Sequence, residues 1–383
     1  MKITIIGGGI GGLCTAISLQ KAGFDVKVYE GVENIKPLGA GLALSANAIK
    51  ALQYIGIAED IVKEGKVLKK LSILDEKGAI ISFRNTETLS NTFGLDNFTI
   101  HRADLHRILM RSLKPGTLIT NYKLKKLEEV ENMVEIEFEN GEVVNTECLI
   151  AADGIHSLVR RHYLPGSSPR YAGYTCWRAV IDKAPDHFDW ESFSETWGNK
   201  GRFGIVPLKN NRIYWFACIN APYKDPFKLR FGVKDLLEIF KEYHFPVSQL
   251  IELTKDADLF HNDIMDIKPI NQFAFNNVLL VGDAAHATTP NMGQGACQAI
   301  EDALFVANCL KKYQTPALAF KKFEKLRIKR TTEIVNTSRI LGRVAQWDNK
   351  IMSATRNFLF KLIPESVNKR QLEFLYNVDF ENV

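Results

Sequence analysis

The chain opens with a short apolar run, Ile3-Thr4-Ile5-Ile6, that breaks at once into Gly7-Gly8-Gly9-Ile10-Gly11-Gly12 and then into an apolar helical pattern over residues 13–22. No other feature restricts the fold so tightly. Gly-x-Gly-x-x-Gly set between a strand and a helix is the context in which backbone closes around a pyrophosphate. Gly7 permits the tight turn, Gly9 lets the backbone approach the phosphates, and Gly12 lets helix and strand pack closely. The helix start adds unpaired N–H groups and a partial positive charge. Gly23 is placed to stop the helix, and a second strand over 25–30 completes a strand–helix–strand unit of the kind that builds parallel sheets. Glu30 ends that strand, where a carboxylate accepts hydrogen bonds from a ribose diol. Lys27 and Gly31 are the nearby residues able to alter that preference. The loop alone does not say which dinucleotide it holds.

At 383 residues the chain exceeds a typical single domain, so two packed domains are expected. Ser45 is placed to cap a helix over 46–54 that Gly56 ends. Residues 71–74 and 79–83 read as a hairpin about Glu76-Lys77-Gly78, followed by a helix over 103–112. Strands are expected over 123–129 and 134–139, with a turn at Asn140-Gly141, and over 147–151. From 171 to 220 the pattern is β-rich and aromatic, with 212–219 its clearest strand. Helices follow over 236–244 and 247–253, then a buried strand over 277–281, a glycine-rich turn and a helix over 293–310. The tail, 317–380, is mainly helical. This predicts an α/β chain whose nucleotide-binding domain is assembled from 1–70, 99–170 and 271–320. A β-rich domain, 71–98 and 171–270, is inserted in it, and helices over 321–383 close the chain.

Two further motifs decide the cofactor. Cys148-Leu149-Ile150-Ala151-Ala152-Asp153-Gly154-Ile155-His156-Ser157-Leu158-Val159-Arg160 is an apolar strand, a turn and a capped helix start. Val278-Leu279-Leu280-Val281-Gly282-Asp283-Ala284-Ala285-His286 is another strand ending in an acidic turn, and Pro290-Asn291-Met292-Gly293-Gln294-Gly295-Ala296 leads into a helix carrying Glu301-Asp302. In order and spacing these motifs resemble those of the single-component flavoprotein aromatic hydroxylases, the p-hydroxybenzoate hydroxylase family. Zeaxanthin epoxidases, flavin urate hydroxylases and tetracycline-inactivating monooxygenases are similar to it within that group. The resemblance spans residues 1 to about 310.

It implies a Rossmann-like FAD-binding domain with an inserted β-rich substrate domain and C-terminal helices. Asp283 is then the carboxylate on the ribityl chain of FAD, and the helix after Pro290 aims its start at the flavin's pyrimidine edge. Backbone N–H groups from Gly293 through Gly295 to Ala296 would there stabilise negative charge without reorganising. Asp153 and Gly154 serve FAD and nicotinamide binding, Arg102 contacts FAD, and Gly39, Gly41 and Leu42 form the loop beside the flavin. Three simpler roles compete: Asp153 as a turn cap, Arg102 paired with Asp104, and His286 as a structural hydrogen-bonder. A second Gly-x-Gly-x-x-Gly is missing from the sequence, which fits NADPH or NADH docking transiently as co-substrate. The implied reaction uses that reductant and O2 to hydroxylate or epoxidise a small aromatic, polycyclic or otherwise electron-rich substrate through a flavin C4a-hydroperoxide.

Substrate-pocket candidates come from the insert. In Arg212-Ile213-Tyr214-Trp215-Phe216-Ala217-Cys218, alternation puts Tyr214, Phe216 and Cys218 on one face and Trp215 on the other. The resemblance favours the Tyr214 face. Arg202 and Arg178 are each placed to bind an acidic or enolic oxygen, with surface or core roles as the alternatives. Urate hydroxylases of similar pattern carry an acid where this chain has Asn291, which speaks against purine hydroxylation. Asn291 can orient a substrate but cannot act as a carboxylate base.

Other classes are disfavoured. The net charge of +5 has no clustered basic block, so nucleic acid is not an expected partner. The six cysteines form no C-x-x-C pair, and no metal or Ser–His–Asp constellation is visible. No run approaches the roughly 18 apolar residues of a spanning helix, so integral membrane association is not expected. A cytoplasmic monomer or weak dimer is the resulting expectation. A halogenase would need Trp-x-Trp-x-Ile-Pro, which does not occur. A reductase or oxidase on the same fold, or a flavin-binding module without turnover, remains as the alternative.

Overall fold

The computed structural model describes residues 1–35, 40–87, 91, 94 and 97–381. Its central layer is a six-stranded sheet in the order Ala274–Phe275, Val278–Leu280, Cys148–Ala151, Lys2–Ile6, Asp25–Tyr29, Leu118–Ile119. All neighbours run parallel except the first pair. Ile3, Ile5, Val28, Leu149, Ile150, Leu279 and Leu280 are fully buried. Strands covered on both faces read as continuous apolar runs, which is why these segments are so uniformly aliphatic. The helices Ile10–Lys21 and Gly295–Lys312 pack together beside this sheet.

The second large layer is a seven-stranded sheet in the order Phe260–Ile267, Pro169–Ile181, Ile213–Asn220, Arg202–Pro207, Ser192–Trp197, Lys70–Leu74, Ile80–Asn85. The two faces of its central strands separate by alternation. Trp177, Ala179, Ile213, Trp215 and Ala217 share one apolar cluster with Leu236, Phe240, Val247 and Leu250 of the helices Val233–Phe240 and Val247–Glu252. The register Cys176↔Cys218, Arg178↔Phe216 and Val180↔Tyr214 sets the opposite face. Three C-terminal helices, Pro316–Ala345, Lys350–Lys361 and Glu365–Tyr376, complete the chain.

Several elements differ from the expectation, each for a packing reason. The first helix starts at Ile10, not at residue 13, so Gly11 and Gly12 lie inside it. Glycine weakens a helix, yet a Cβ at Gly12 would overlap the Gly7 carbonyl oxygen, and one at Gly11 would come within 3.3 Å of the Ala299 side chain. The long helix starts at Gly295; Gly293, at φ +64°, instead ends the short 3-10 turn Pro290–Met292. Ser45 stands at the start of the helix Ala46–Ile55 without a side-chain cap, its hydroxyl accepting from Gln294 Nε2 at 3.3 Å. A strand the pattern missed, Val143–Thr146, follows the turn at Asn140-Gly141 and pairs back on Met133–Phe138. Gly56 does end its helix in the left-handed region.

Candidate functional site

The glycine loop is shaped by what surrounds each glycine. Gly7 has φ +104°, and a Cβ there would overlap the carbonyl of Ala152; one on Gly12 would overlap the carbonyl oxygen of Gly7. A Cβ on Gly9 would meet no atom within 4 Å. Two positions are therefore closed by the protein's own backbone, and the one between them faces open space. Glu30 accepts from Gly8 N at 2.6 Å through Oε2 and from Val32 N at 3.0 Å through Oε1. His106 Nε2 holds Gly8 O at 2.7 Å. The carboxylate is thus oriented by backbone amides, with lone pairs left for a ligand's hydroxyls.

The two acidic turns meet beside this loop. Asp153 caps the helix Leu158–Tyr163, accepting from Leu158 N at 2.8 Å and Val159 N at 3.3 Å through Oδ2. Its Oδ1 is buried with no hydrogen-bond partner among the described residues. A buried carboxylate oxygen without a donor is costly and calls for a ligand's donor. Burial pushes the Asp153 carboxyl above its usual range. Asp283 is exposed by surface area yet ringed by protein, and that desolvation pushes its carboxyl up against the pull of His286, Arg102 and Arg160. Gly154, at φ +76°, also faces open space.

Arg160, at the end of the Asp153 motif, ties the two turns together. Its Nη1 donates to Ala284 O at 3.0 Å and Asp283 O at 3.3 Å, and its Nε donates to Ser167 O at 3.1 Å. His286 Nε2 lies 2.7 Å from Asp302 Oδ2, which also accepts from Gly282 N at 2.8 Å. His286 is a brace for the turn, fully inside the protein.

Arg102 does not pair with Asp104, which instead bonds Arg107 at 2.9 Å and Arg212 at 2.6 Å. Among the described residues no hydrogen bond takes the Arg102 guanidinium, though it feels both Asp283 and Arg178. Burial lowers its proton affinity, and a desolvated free guanidinium beside a carboxylate is suited to a polyanionic ligand. The strand Gly41–Leu44 pairs with Phe98–His101, placing Gly41 opposite His101 and Leu42 opposite Ile100. The Tyr214 ring lies against Gly41, where a Cβ would come within 2.7 Å of it. Gly39 lies outside the described residues. Pro290, Gly293, Gly295 and Ala296 follow the acidic turn in order, and no side chain caps the start of the helix Gly295–Lys312.

The structure brings Tyr214, Phe216 and Arg178 to one sheet face, with Phe216 lying over Gly204. Cys176 foremost, with Tyr214 and against the effect of burial, holds the Arg178 guanidinium above its ordinary range. Arg202 and Asn291 stand differently. Arg202 is buried, with Nη1 on Glu195 Oε1 at 2.9 Å, Nε on Gln346 Oε1 at 2.7 Å, and its guanidinium 5.1 Å from the Tyr174 ring. Asn291 donates to Thr289 Oγ1 at 2.8 Å and Ser338 O at 2.9 Å and accepts from Tyr174 Oη at 3.1 Å. Both are fastened to the protein, and Asn291 is pressed on Gly342 of a C-terminal helix.

A larger set of residues escaped sequence reasoning. Glu301 and Asp302, both fully buried, are met by Arg327, which bonds Asp302 Oδ1 at 2.6 Å and Glu301 Oε2 at 2.5 Å. Arg330 adds 2.7 Å to Glu301, and Asn47 and Gln298 complete the network. Among the described residues, no cluster of His, Cys, Asp and Glu could hold a metal and no helix is long and apolar enough to cross a membrane.

The open glycines, the unpartnered Asp153 oxygen and the free Arg102 guanidinium together fit a dinucleotide. Residues 1–317 match the family described as FAD binding domain. The chain is 32% identical over 378 residues to the aurachin C monooxygenase/isomerase of Stigmatella aurantiaca, covering 98% of each. It is 28% identical over 381 residues to the 2-heptyl-3-hydroxy-4(1H)-quinolone synthase of Pseudomonas aeruginosa, again covering 98% of each. Its fold matches Klebsiella pneumoniae HpxO complexed with FAD and uric acid at a TM-score of 0.90, with 26% identity over 98% of this chain and 96% of that one.

Proposed function

The chain belongs to the FAD-binding-domain family, among FAD-dependent monooxygenases and hydroxylases, and from that premise we propose that it oxygenates a flat, electron-rich bicyclic heteroaromatic. The relative named for a 3-hydroxy-4(1H)-quinolone product makes a 4-quinolone the first substrate class to try. NADPH or NADH serves as reductant and O2 as oxidant. One oxygen atom enters the substrate and the other leaves as water, with two electrons taken from the nicotinamide.

What supports this reading is that Arg160 feels both Asp153 and Asp283, that Arg102 feels Asp283 and Arg178, that Asp153 Oδ1 is buried without a partner among the described residues, and that Gly9 and Gly154 face open space. Bound FAD supplies hydride acceptance and oxygen activation. The protein's part is binding, orientation and charge. Glu30 receives the ribose hydroxyls, Gly9 gives the phosphates close approach, and Asp283 accepts from the ribityl hydroxyls. The uncapped start of the helix at Gly295 and Ala296 faces developing negative charge with fixed dipoles. Tyr214 and Phe216 exclude water from the reacting face, and Arg178 holds an acidic or enolic oxygen of the substrate.

Two expected results follow for these residues. Asp283→Asn should keep the fold but lower FAD affinity by about tenfold or more, since a charge-assisted acceptor contributes roughly 1.5–3 kcal/mol; titration of apoprotein with FAD by flavin fluorescence measures it. Arg178→Met should raise KM for an enolic substrate by about tenfold or more on the same grounds, with FAD content unchanged. The reading as a whole is tested by nicotinamide oxidation in FAD-loaded protein. A panel of 4-quinolones and hydroxybenzoates should accelerate it, and product made under heavy-isotope O2 should carry one labelled atom. Bound FAD with no substrate-stimulated oxidation across such a panel, or unlabelled product, would overturn it.

A further inference from the structure

The helix Lys350–Lys361 has two apolar faces, and among the described residues only one of them is packed. Its inner face is fixed to the body: Phe360 packs edge-on against Trp197 at 4.9 Å, and Arg356 donates to Ala345 O at 2.7 Å and Trp197 O at 3.0 Å. Asn349 caps its start, accepting from Ile351 N at 2.9 Å. The helix is therefore held in one orientation. Its outer face exposes Ile351 (78%), Phe358 (62%), Leu359 (53%) and Met352 (43%), and Leu362 just past its end is 59% exposed. At about 100° per residue these five side chains fall within roughly 120° of arc, a single stripe pointing to solvent.

Charge narrows what can cover this stripe. Residues 349–364 contain Lys350, Arg356 and Lys361 and no aspartate or glutamate. Arg356 is consumed inside, while Lys350 and Lys361 stand exposed near the two ends. A second copy of the chain docked face to face across a two-fold axis would set this acid-free stripe against itself. An anionic lipid surface meets both requirements, taking large apolar side chains below its headgroups and lysines beside them.

We propose that the helix Lys350–Lys361 is a peripheral docking element for anionic membrane surfaces, lying in the headgroup layer through Ile351, Phe358, Leu359 and Leu362. This goes beyond the oxygenation reading and is read out without turnover. Full-length FAD-loaded protein is floated with vesicles of phosphatidylcholine mixed with phosphatidylglycerol, or of phosphatidylcholine alone. It should rise with the anionic vesicles, far less with the neutral ones, and less as salt is added. Phe358→Ser with Leu359→Ser should cut the bound fraction by roughly tenfold or more. Lys350→Glu with Lys361→Glu should cut it severalfold at low salt, and both variants should keep wild-type flavin content and melting temperature. Failure to float with anionic vesicles, or equal flotation of the serine variant, overturns the proposal. So does light scattering that gives twice the chain mass for wild type and the single mass for the serine variant, which would assign the stripe to a second copy.

Discussion

Gly12→Ala should yield protein that binds no flavin and is largely unfolded at growth temperature. The new methyl group would overlap the carbonyl oxygen of Gly7 and come within 3.3 Å of the Ala152 side chain, at the crossing of the first helix and two central strands. The obstructing carbonyl is backbone, so no side chain can swing aside. Overpacking of this kind costs at least about 1–3 kcal/mol, and relief would require parting the helix from the sheet. Gly9→Ala is the informative contrast, because its methyl group meets no protein atom within 4 Å. That variant should melt like wild type as apoprotein and yet bind FAD at least about tenfold more weakly, because the methyl group would occupy the space where the pyrophosphate packs. FAD titration and thermal melting of both variants measure these effects. Unaltered FAD affinity in Gly9→Ala would show that the phosphates do not lie at this loop.

Arg327→Met should be the most destabilising single change outside the glycine loop. Arg327, Glu301 and Asp302 all have no exposed side-chain surface. Removing one partner from a buried ion pair costs about 3–5 kcal/mol because the remaining charge is stranded. Here two carboxylates are affected, though Arg330 and Asn47 still hold Glu301, and His286 and Gly282 still hold Asp302. A melting temperature lower by roughly 5–10 °C is expected. Acidity gives a second signature. Burial disfavours ionisation of both acids, but Arg327 and Arg330 beside Glu301, and His286 and Arg327 beside Asp302, hold both carboxyls below their ordinary range. A group whose folded value is depressed stabilises the protein above its unfolded value, about 4, and loses that contribution as pH falls through the folded value. Wild type should therefore weaken on acidification below about pH 4. Without Arg327 both carboxyls protonate more readily than in wild type, so the gap between the two proteins should narrow as pH falls. Melting curves from neutral to acid pH test this, and a gap that stayed constant would rule the charge network out as the source.

What the sequence disclosed is what short stretches of chain chemistry must contain. A strand, a glycine turn and a helix start lie within a dozen residues, so the turn that carries Gly7 and Gly9 could be read directly, whereas the roles of Asp153 and Asp283 came only from the family resemblance. Alternation along Ile213–Asn220 likewise separated Tyr214 and Phe216 from Trp215. What stayed hidden depends on distant segments. Nothing local marks Arg327 as the partner of Asp302, 25 positions away on another helix. The pairing of Lys70–Leu74 with Ser192–Trp197 joins strands more than a hundred residues apart. The partners of the Arg202 guanidinium, Glu195 on the neighbouring strand and Gln346 on the C-terminal side, could likewise not be read from its own strand. Asn291 had the right motif, and its amide is held by Ser338.

The seven-stranded sheet divides inheritance as well as space. Trp177, Trp215 and Phe203 on one side answer to the helices behind them, and changes there are paid for in stability. Positions 176, 178, 214 and 216 on the other side are interleaved one for one along the same strands, and Cys176 and Tyr214 there belong to separate small clusters. On the proposed reading of the Tyr214 face, exchanging every second residue would redraw chemical preference while the alternate residues preserve the scaffold.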